Sequence, residues 1–442
     1  MNRTVALHTL GCKLNYSETT AIGRLLEQDG FVKKDFDEVA DLYVINTCSV
    51  TDNADKECRQ LVRRIQRKAP EAMVVITGCY AQLKPKEIAE IPGVDLVLGA
   101  AEKFNITEHL KGLNKNDATK ICSCDIEDVN IFHGSYSLHE RTRVFLKVQD
   151  GCNYNCSFCT IPMARGKSRS DSITNVLENV KAIAAGGAKE IVLTGINLGD
   201  YSPLPTSPKG GGEGPLPTSP EGGGVKGNLY SKSDFFCLVK ALDAVDDVER
   251  YRISSIEPNL LSNDIIEFVA NSQHFMPHFH IPLQSGSNKI LGAMRRRYKR
   301  ELYAEKVGLI KTMMPHACIG VDVIVGFPGE TDDDFNETAL FLEQLDISYL
   351  HVFTYSERDN THALSLGPVV PIHTRNQRNK ILRNLSYQKM QAFTAQHIGQ
   401  TRKVLFESRN KNGMMEGYAD NYIKITTPYK AEWENAIVDW VV

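Results

Sequence analysis

No apolar run in this 442-residue chain approaches the roughly 18 residues that a bilayer span needs. The first residues, Met1 to Leu10, lack the positive-then-apolar pattern of a secretory signal. Charge of one sign is not in excess either. With 51 basic and 54 acidic side chains the net charge is −3, so any surface for nucleic acid must be local. These absences lead us to expect a cytoplasmic protein without a membrane partner, in which thiols stay reduced. Eleven cysteines in that setting point to metal or catalysis rather than disulfides.

Cys152, Cys156 and Cys159 stand in Gln-Asp-Gly-Cys-Asn-Tyr-Asn-Cys-Ser-Phe-Cys-Thr, a CxxxCxxC spacing. Three thiolates this close can hold a metal cluster, and three is one short of the set that closes a 4Fe-4S cube. An iron without a protein ligand is an open position, where metals do chemistry rather than hold structure. The paired CxxC knuckles of a zinc ribbon are missing.

The first hundred or so residues alternate short apolar runs with helical patterns, the signature of a parallel α/β sheet. Strands are expected at Val5–Leu10, Leu42–Asn46, Met73–Thr77 and Val94–Leu98, with a helix from Ser17, a good N-cap, to Gly30. A second helix should begin near Asp52. After a less regular stretch, a second series offers Val144–Val148, Glu190–Thr194, Tyr251–Ser255, Phe279–Leu283, Ile319–Val325 and Leu350–Tyr355. Six βα units suggest a partial barrel rather than a closed one of eight. The tract at 203–226, where Pro-Leu-Pro-Thr-Ser-Pro recurs from Pro203 and Pro215, is expected to be a disordered insertion. A basic helix near Thr374–Gln396 should lead into four short strands, a small β-barrel.

Cys12, Cys48 and Cys79 each follow one of the first three strands, where open parallel sheets place their ligands. They should converge into a second three-thiolate site. Cys58, within a helix, and Cys318, opening a strand, read as packing residues. No third ligand accompanies Cys122 and Cys124, and Cys237 fits neither pattern. In the second series the strand ends Thr194-Gly195-Ile196-Asn197, Ser254-Ser255-Ile256-Glu257-Pro258, Pro282-Leu283-Gln284-Ser285-Gly286-Ser287 and Gly326-Phe327-Pro328-Gly329-Glu330 should share one face with Cys152 and line a pocket for a polar cofactor. Basic residues cluster at Arg295–Arg300, at Arg375, Arg378, Lys380 and Arg383, and at Arg402, Lys403, Arg409 and Lys411. Beside a small β-barrel, such a run suits RNA phosphates.

Over essentially its whole length the chain resembles the radical S-adenosylmethionine methylthiotransferase family. Gly11-Cys12-Lys13-Leu14-Asn15, Asn46-Thr47-Cys48-Ser49-Val50-Thr51 and Thr77-Gly78-Cys79 resemble its N-terminal cluster segments, and Asp150-Gly151-Cys152 through Ser170 its radical motif. His351-Val352-Phe353-Thr354-Tyr355-Ser356 and the β-rich tail resemble the end of its barrel and its TRAM domain. The resemblance implies an N-terminal cluster domain at 1–115, a connector at 116–140, and a radical barrel at 141–372 interrupted at 201–228. A linker helix at 373–397 and a TRAM-like β-barrel at 398–442 complete it. It implies two 4Fe-4S clusters, on Cys12, Cys48 and Cys79 and on Cys152, Cys156 and Cys159, with S-adenosyl-L-methionine on the second. Thr194, Gly195, Ser254, Ser255, Glu257, Gln284 and Asp322 are the expected cofactor pocket.

The implied reaction is radical transfer of a methylthio group to threonylcarbamoyladenosine next to the anticodon of tRNA, with a reducing electron donor and a sulfur source as further partners. Another tRNA adenosine or a ribosomal-protein aspartate is the alternative substrate, and a non-catalytic iron–sulfur RNA-binding protein the alternative class. A cobalamin-type Asp-x-His-x-x-Gly motif is missing from the first domain. The chain ends at Val442 just after a strand, so a short tail is expected where a TRAM domain often continues.

Overall fold

The structure, a computed structural model, describes residues 3–49, 52–115, 117–137, 142–203, 234–409 and 412–442. The expected insertion at 203–226 lies almost wholly outside the described residues. Two strands made of Leu-Tyr-Val-Ile-Asn-Thr and Met-Val-Val-Ile-Thr-Gly set the N-terminal architecture. Such runs, buried on both faces, suit the middle of a parallel sheet covered by helices. They are β3 (Leu42–Thr47) and β4 (Met73–Gly78), flanked by β1 (Thr4–Thr9), β2 (Val32–Lys34), β5 (Leu96–Leu98) and β6 (Lys120–Cys122). The six pair in parallel in the order β2-β1-β3-β4-β5-β6.

Helix α1 runs Lys13–Gln28, not from Ser17. Cys12, in extended backbone, is its N-cap residue. Ser17 lies inside the helix, fully buried, with its hydroxyl 2.9 Å from the Leu14 carbonyl and 3.0 Å from Ser135 Oγ. A serine that bonds back to its own preceding turn satisfies itself without ending a helix. In sequence the two cases look alike.

The second series opens with β7 (Ser135–Tyr136) and β8 (Arg143–Lys147), followed by the short pair β9 (Gln149–Asp150) and β10 (Arg169–Ser170). Next come β11 (Glu190–Thr194), β12 (Arg250–Ile253), β13 (His278–Gln284), β14 (Cys318–Val325) and β15 (Tyr349–Thr354). Strands β8, β11 and β12 are parallel neighbours, as are β13, β14 and β15, and a Tyr251–Phe275 bridge joins the two groups. All six expected strands are present in their expected order, with β7 added antiparallel at the edge. One apolar core, including Leu146, Leu193, Ile253, Ile281, Val321 and Leu350, runs behind them.

The helix Ile372–Ala395 leads to β16 (Thr401–Arg409), β17 (Met414–Ala419), β18 (Lys424–Pro428) and β19 (Ile437–Val441), a small antiparallel sheet ordered β18-β17-β16-β19. Phe406 packs between Trp433 and Trp440 in its core. The sheet is held to β12 by two arginines. Arg252 donates to the Ala419 and Asp420 carbonyls, each at 2.8 Å, and Arg250 to the Lys403 carbonyl at 2.7 Å. Among the described residues no helix is long and apolar enough to cross a membrane.

Candidate functional site

Strand register brings the first triad to one edge. Thr9 pairs with Asn46, Asn46 with Thr77 and Thr47 with Gly78, so Cys12, Cys48 and Cys79 leave the same end of three adjacent strands. The backbone there is fitted to sulfur. Gly11 has φ of 102°, and a Cβ added to it would lie 2.8 Å from Cys48 Sγ. A side chain at this position would displace the thiol. Asn15 ties the edge together, donating to the Leu10 and Thr47 carbonyls at 2.9 Å each, while Asn46 donates to the Asn15 carbonyl at 2.9 Å.

The second triad sits on the loop after β9. Gln149 organises it from beneath: its side-chain oxygen accepts from Ile196 and Asn197 amides at 2.8 and 2.9 Å, and its nitrogen donates to the Gly151 carbonyl at 2.7 Å. Gly151 itself, at φ of 69°, would put a Cβ 2.1 Å from the Lys167 carbonyl oxygen. Donors also reach the sulfurs. The Tyr154 amide lies 3.3 Å from Cys152 Sγ and Arg296 Nη1 lies 3.2 Å from Cys156 Sγ. The same Arg296 is ion-paired with Glu257.

A cavity of about 1320 Å³ joins the two halves. Cys152, Cys156 and Cys159 line it, and so does Cys12 from the first triad. The structure brings all seven expected pocket residues, Thr194, Gly195, Ser254, Ser255, Glu257, Gln284 and Asp322, to the same wall. Cys48 and Cys79 are buried and do not line the cavity. Gln284 stands at a register irregularity between β13 and β14 with φ of 70°, an uncommon conformation for a residue other than glycine. Thr194 Oγ1 and both polar atoms of the Asn197 side chain are buried without a partner and border the cavity. Asn197 ends the run expected to line the pocket, although it was not among the seven residues singled out for the cofactor.

Several further residues emerge only in three dimensions. His280 pairs with Asp322 at 2.9 Å and stacks on His351 in the cavity. Lys13, beside Cys12, borders both this cavity and an adjoining one of about 630 Å³. Its side chain keeps exposed surface where it borders them. The protein atoms packed around it, with Arg143 nearby, pull its ammonium down to about 8.

A buried charge network joins the triads. Glu18 of α1 receives both Arg165 guanidinium nitrogens at 3.1 Å, Lys147 at 2.8 Å and Lys103 at 2.7 Å. Asp150 takes Arg165 at 2.9 Å and Lys147 at 2.7 Å, and Arg165 also donates to Asn15 Oδ1 at 2.5 Å. Burial alone would raise Glu18, but Arg165, Lys103 and Lys147 outweigh it and hold the carboxyl well below its ordinary range. Burial pulls Lys103 down despite Glu18, because Arg165 and Lys147 repel it. The directions agree once the charges are counted: three buried cations face two anions. The surplus positive charge lies beside Cys79 and Cys12, both of which act on Arg165.

The basic clusters are only partly available to the RNA phosphates that the sequence suggested. Arg296 faces Cys156, Arg375 pairs with Glu357, and Arg378 pairs with Glu330 and Asp332, all three largely enclosed. Their acidic partners lie far off in sequence, which is why the run misread. Lys380, Arg383 and Lys403 are exposed.

Both triads suit iron–sulfur clusters by the chemistry of their donors. Burial pushes Cys152 up to about 11 and Cys159 to about 12, and raises Cys156 and Cys79, so all four are neutral thiols until a metal draws off their protons. Among the described residues no group of three His, Cys, Asp or Glu side chains is placed to hold a single metal ion. What unites each triad is strand register, loop and shared cavity. The orphaned Thr194 and Asn197 atoms suit a polar cofactor beside the second triad, and the buried surplus of positive charge suits an anionic group at the first.

Comparison with known proteins follows the same division. Residues 4–99 match the model described as uncharacterized protein family UPF0004, and residues 146–342 match the radical SAM superfamily. The chain is 37% identical over 433 residues to the threonylcarbamoyladenosine tRNA methylthiotransferase MtaB of Bacillus subtilis (strain 168), covering 96% of this chain and 90% of that one. It is 38% identical over 419 residues to the MtaB of Aquifex aeolicus (strain VF5), covering 94% and 95%. Among solved structures, the radical S-adenosylmethionine methyltransferase TsrM of Kitasatospora setae, with cobalamin and a 4Fe-4S cluster bound, superposes with a TM-score of 0.53 at 16% identity. That match covers 80% of this chain and 75% of TsrM and speaks to fold alone.

Proposed function

This chain belongs to the radical S-adenosylmethionine methylthiotransferase family, among its MtaB-like members, and from that premise we propose that it transfers a methylthio group to C2 of N6-threonylcarbamoyladenosine in tRNA. The observation that carries the reading is one cavity bordered by Cys12 of the first triad and by all three cysteines of the second. Cys152, Cys156 and Cys159 would hold one 4Fe-4S cluster, and Cys12, Cys48 and Cys79 the other. When bound, these groups and S-adenosyl-L-methionine supply reductive cleavage of the sulfonium and a methylated sulfur for transfer.

The chain's own residues bind, orient and enclose. Thr194, Gly195, Ser254, Ser255, Glu257, Gln284 and Asp322, joined by Asn197, form the S-adenosylmethionine wall. Arg296 fixes Glu257 and donates to Cys156 Sγ, so one guanidinium sets both a cofactor contact and a cluster ligand. The Glu18–Arg165 network holds the two triads at a fixed separation without exposing charge to water. Substrate would meet both sites in this one cavity, with its reacting carbon between them.

We read the chain as a cluster domain at 1–115, a connector at 116–140, a barrel at 141–372, a linker helix at 373–397 and a TRAM-like unit at 398–442. The linker helix, through Lys380 and Arg383, and the TRAM-like unit, through Lys403, would meet the tRNA backbone. A cytoplasmic location, an external reductant and a sulfur source complete the proposal. Mass spectrometry of tRNA nucleosides tests it: a deletion strain should lose 2-methylthio-N6-threonylcarbamoyladenosine and accumulate its unthiolated precursor. An unchanged nucleoside profile refutes the substrate.

A further inference from the structure

We infer that Lys13 is the residue that recognises the amino-acid arm of the substrate, its ammonium pairing with the arm's carboxylate. This deepens the proposed function and rests on threonylcarbamoyladenosine being the substrate. Of the charged side chains bordering the cavity, most are already committed. Arg296 is bound to Glu257 and His280 to Asp322, while Arg252, in the adjoining cavity, is bound to Glu190 and to two carbonyls of the tail. Arg143, in the adjoining cavity, pairs with Glu407 at 2.8 Å and lies 4.0 Å over the Tyr418 ring. Lys13 alone of these has no hydrogen bond or ion pair among the described residues. An ammonium that borders the cavity with no ion pair of its own can take an anionic group by a charge-assisted hydrogen bond.

Its surroundings favour an anion. Lys13 is the first residue of α1, a helix whose N-cap makes no side-chain bond and whose first turn holds no acid. The open amides there add positive potential to the ammonium. Of the two acids that border the cavity, Asp322, which also attracts Lys13, is paired with His280, and Glu257 is paired with Arg296.

The substrate's geometry places its charge here. In adenine, C2 and C6 both flank N1, and the threonylcarbamoyl arm hangs from the amine on C6. A cation that reads the arm must therefore stand close to the sulfur delivered to C2. Lys13 follows Cys12 directly, on the wall where the first triad meets the cavity. The pairing also discriminates: an uncharged isoprenoid arm would offer the ammonium no carboxylate to pair with.

The test is binding of the reconstituted full-length protein to three anticodon stem-loop RNAs. One carries the threonylcarbamoyl arm, one the same arm with its carboxylate converted to a primary amide, and one plain adenosine. Wild type should bind the acid roughly tenfold to a hundredfold more tightly than the amide, the range of a charge-assisted hydrogen bond. Lys13→Met should reduce the acid-to-amide ratio to about one, and Lys13→Arg should restore most of it. Equal binding of acid and amide by wild type overturns the inference without using a variant, as does a ratio that survives in Lys13→Met. Should wild type fail even to prefer the armed RNAs over plain adenosine, the substrate reading itself falls and this inference with it. The two failures are thus told apart.

Discussion

Glu18 shows how strongly a single residue can be fixed by charge. It is fully buried, yet four hydrogen bonds from Arg165, Lys147 and Lys103 make its ionised form the stable one. Glu18→Gln would leave those cations with only Asp150 among them. Removing one partner of a buried ion pair costs about 3–5 kcal/mol, and thermal or denaturant unfolding should show a loss of that order. The pH dependence has a definite sign. A carboxyl depressed in the folded state stabilises above its unfolded pKa of about 4 and loses that contribution as pH falls below it. Wild type should therefore lose stability on acidification through that range more steeply than Glu18→Gln. Parallel acid profiles of the two proteins would contradict the charge assignment.

Arg296 is the second residue with a measurable consequence. It bonds both Cys156 Sγ and Glu257. A donor on a ligating sulfur tunes cluster potential, and loss of such outer contacts commonly costs 10–100-fold in metal affinity or activity. Arg296→Met should weaken S-adenosylmethionine cleavage by about that factor and shift the cluster's reduction potential downward. Potentiometry monitored by electron paramagnetic resonance reads the shift, and an unchanged potential refutes the role.

Elements differ in how far the sequence discloses them. The six strands from β8 to β15 that form the parallel series were legible because each is a compact apolar run between turn residues, and their ends carry the pocket residues. The first triad was legible for the same reason: once three strands are placed, their C-terminal ends follow. Short edge strands were not. Val32–Lys34 is Val-Lys-Lys and Lys120–Cys122 is Lys-Ile-Cys, pieces whose pairing comes from a neighbour and not from their own pattern. The start of α1 was misplaced because an interior serine mimics a cap. Nor could sequence reveal that Gln149, just before the radical loop, stitches that loop to the Ile196–Asn197 turn, since the partners are 47 and 48 positions away.

The seam between β12 and the C-terminal sheet yields a prediction at this scale. Arg250 and Arg252 donate to carbonyls of Lys403, Ala419 and Asp420, so their loss orphans several buried groups at once. Arg250→Ala is expected to raise hydrogen exchange in β16 and β17 while leaving β3 and β4 protected. Exchange rising equally in all four strands would show that the seam is not local.

Across the whole molecule, two sheets that share no strand are held by a buried network so that Cys12 of one triad and all three cysteines of the other border one space. The arrangement separates tasks. The triad on the loop after β9 has the open pocket of Thr194, Asn197 and Glu257 around it, whereas the triad at the end of β1, β3 and β4 has surplus positive charge and the Lys13 ammonium. Losing the first should remove cofactor cleavage, and losing the second should remove sulfur delivery alone. The decisive measurement follows 5′-deoxyadenosine and methylthiolated tRNA in parallel for Cys156→Ala and Cys48→Ala. The account predicts that Cys156→Ala forms neither product, while Cys48→Ala still cleaves S-adenosylmethionine and transfers no methylthio group. Equal loss of cleavage in both variants would contradict it.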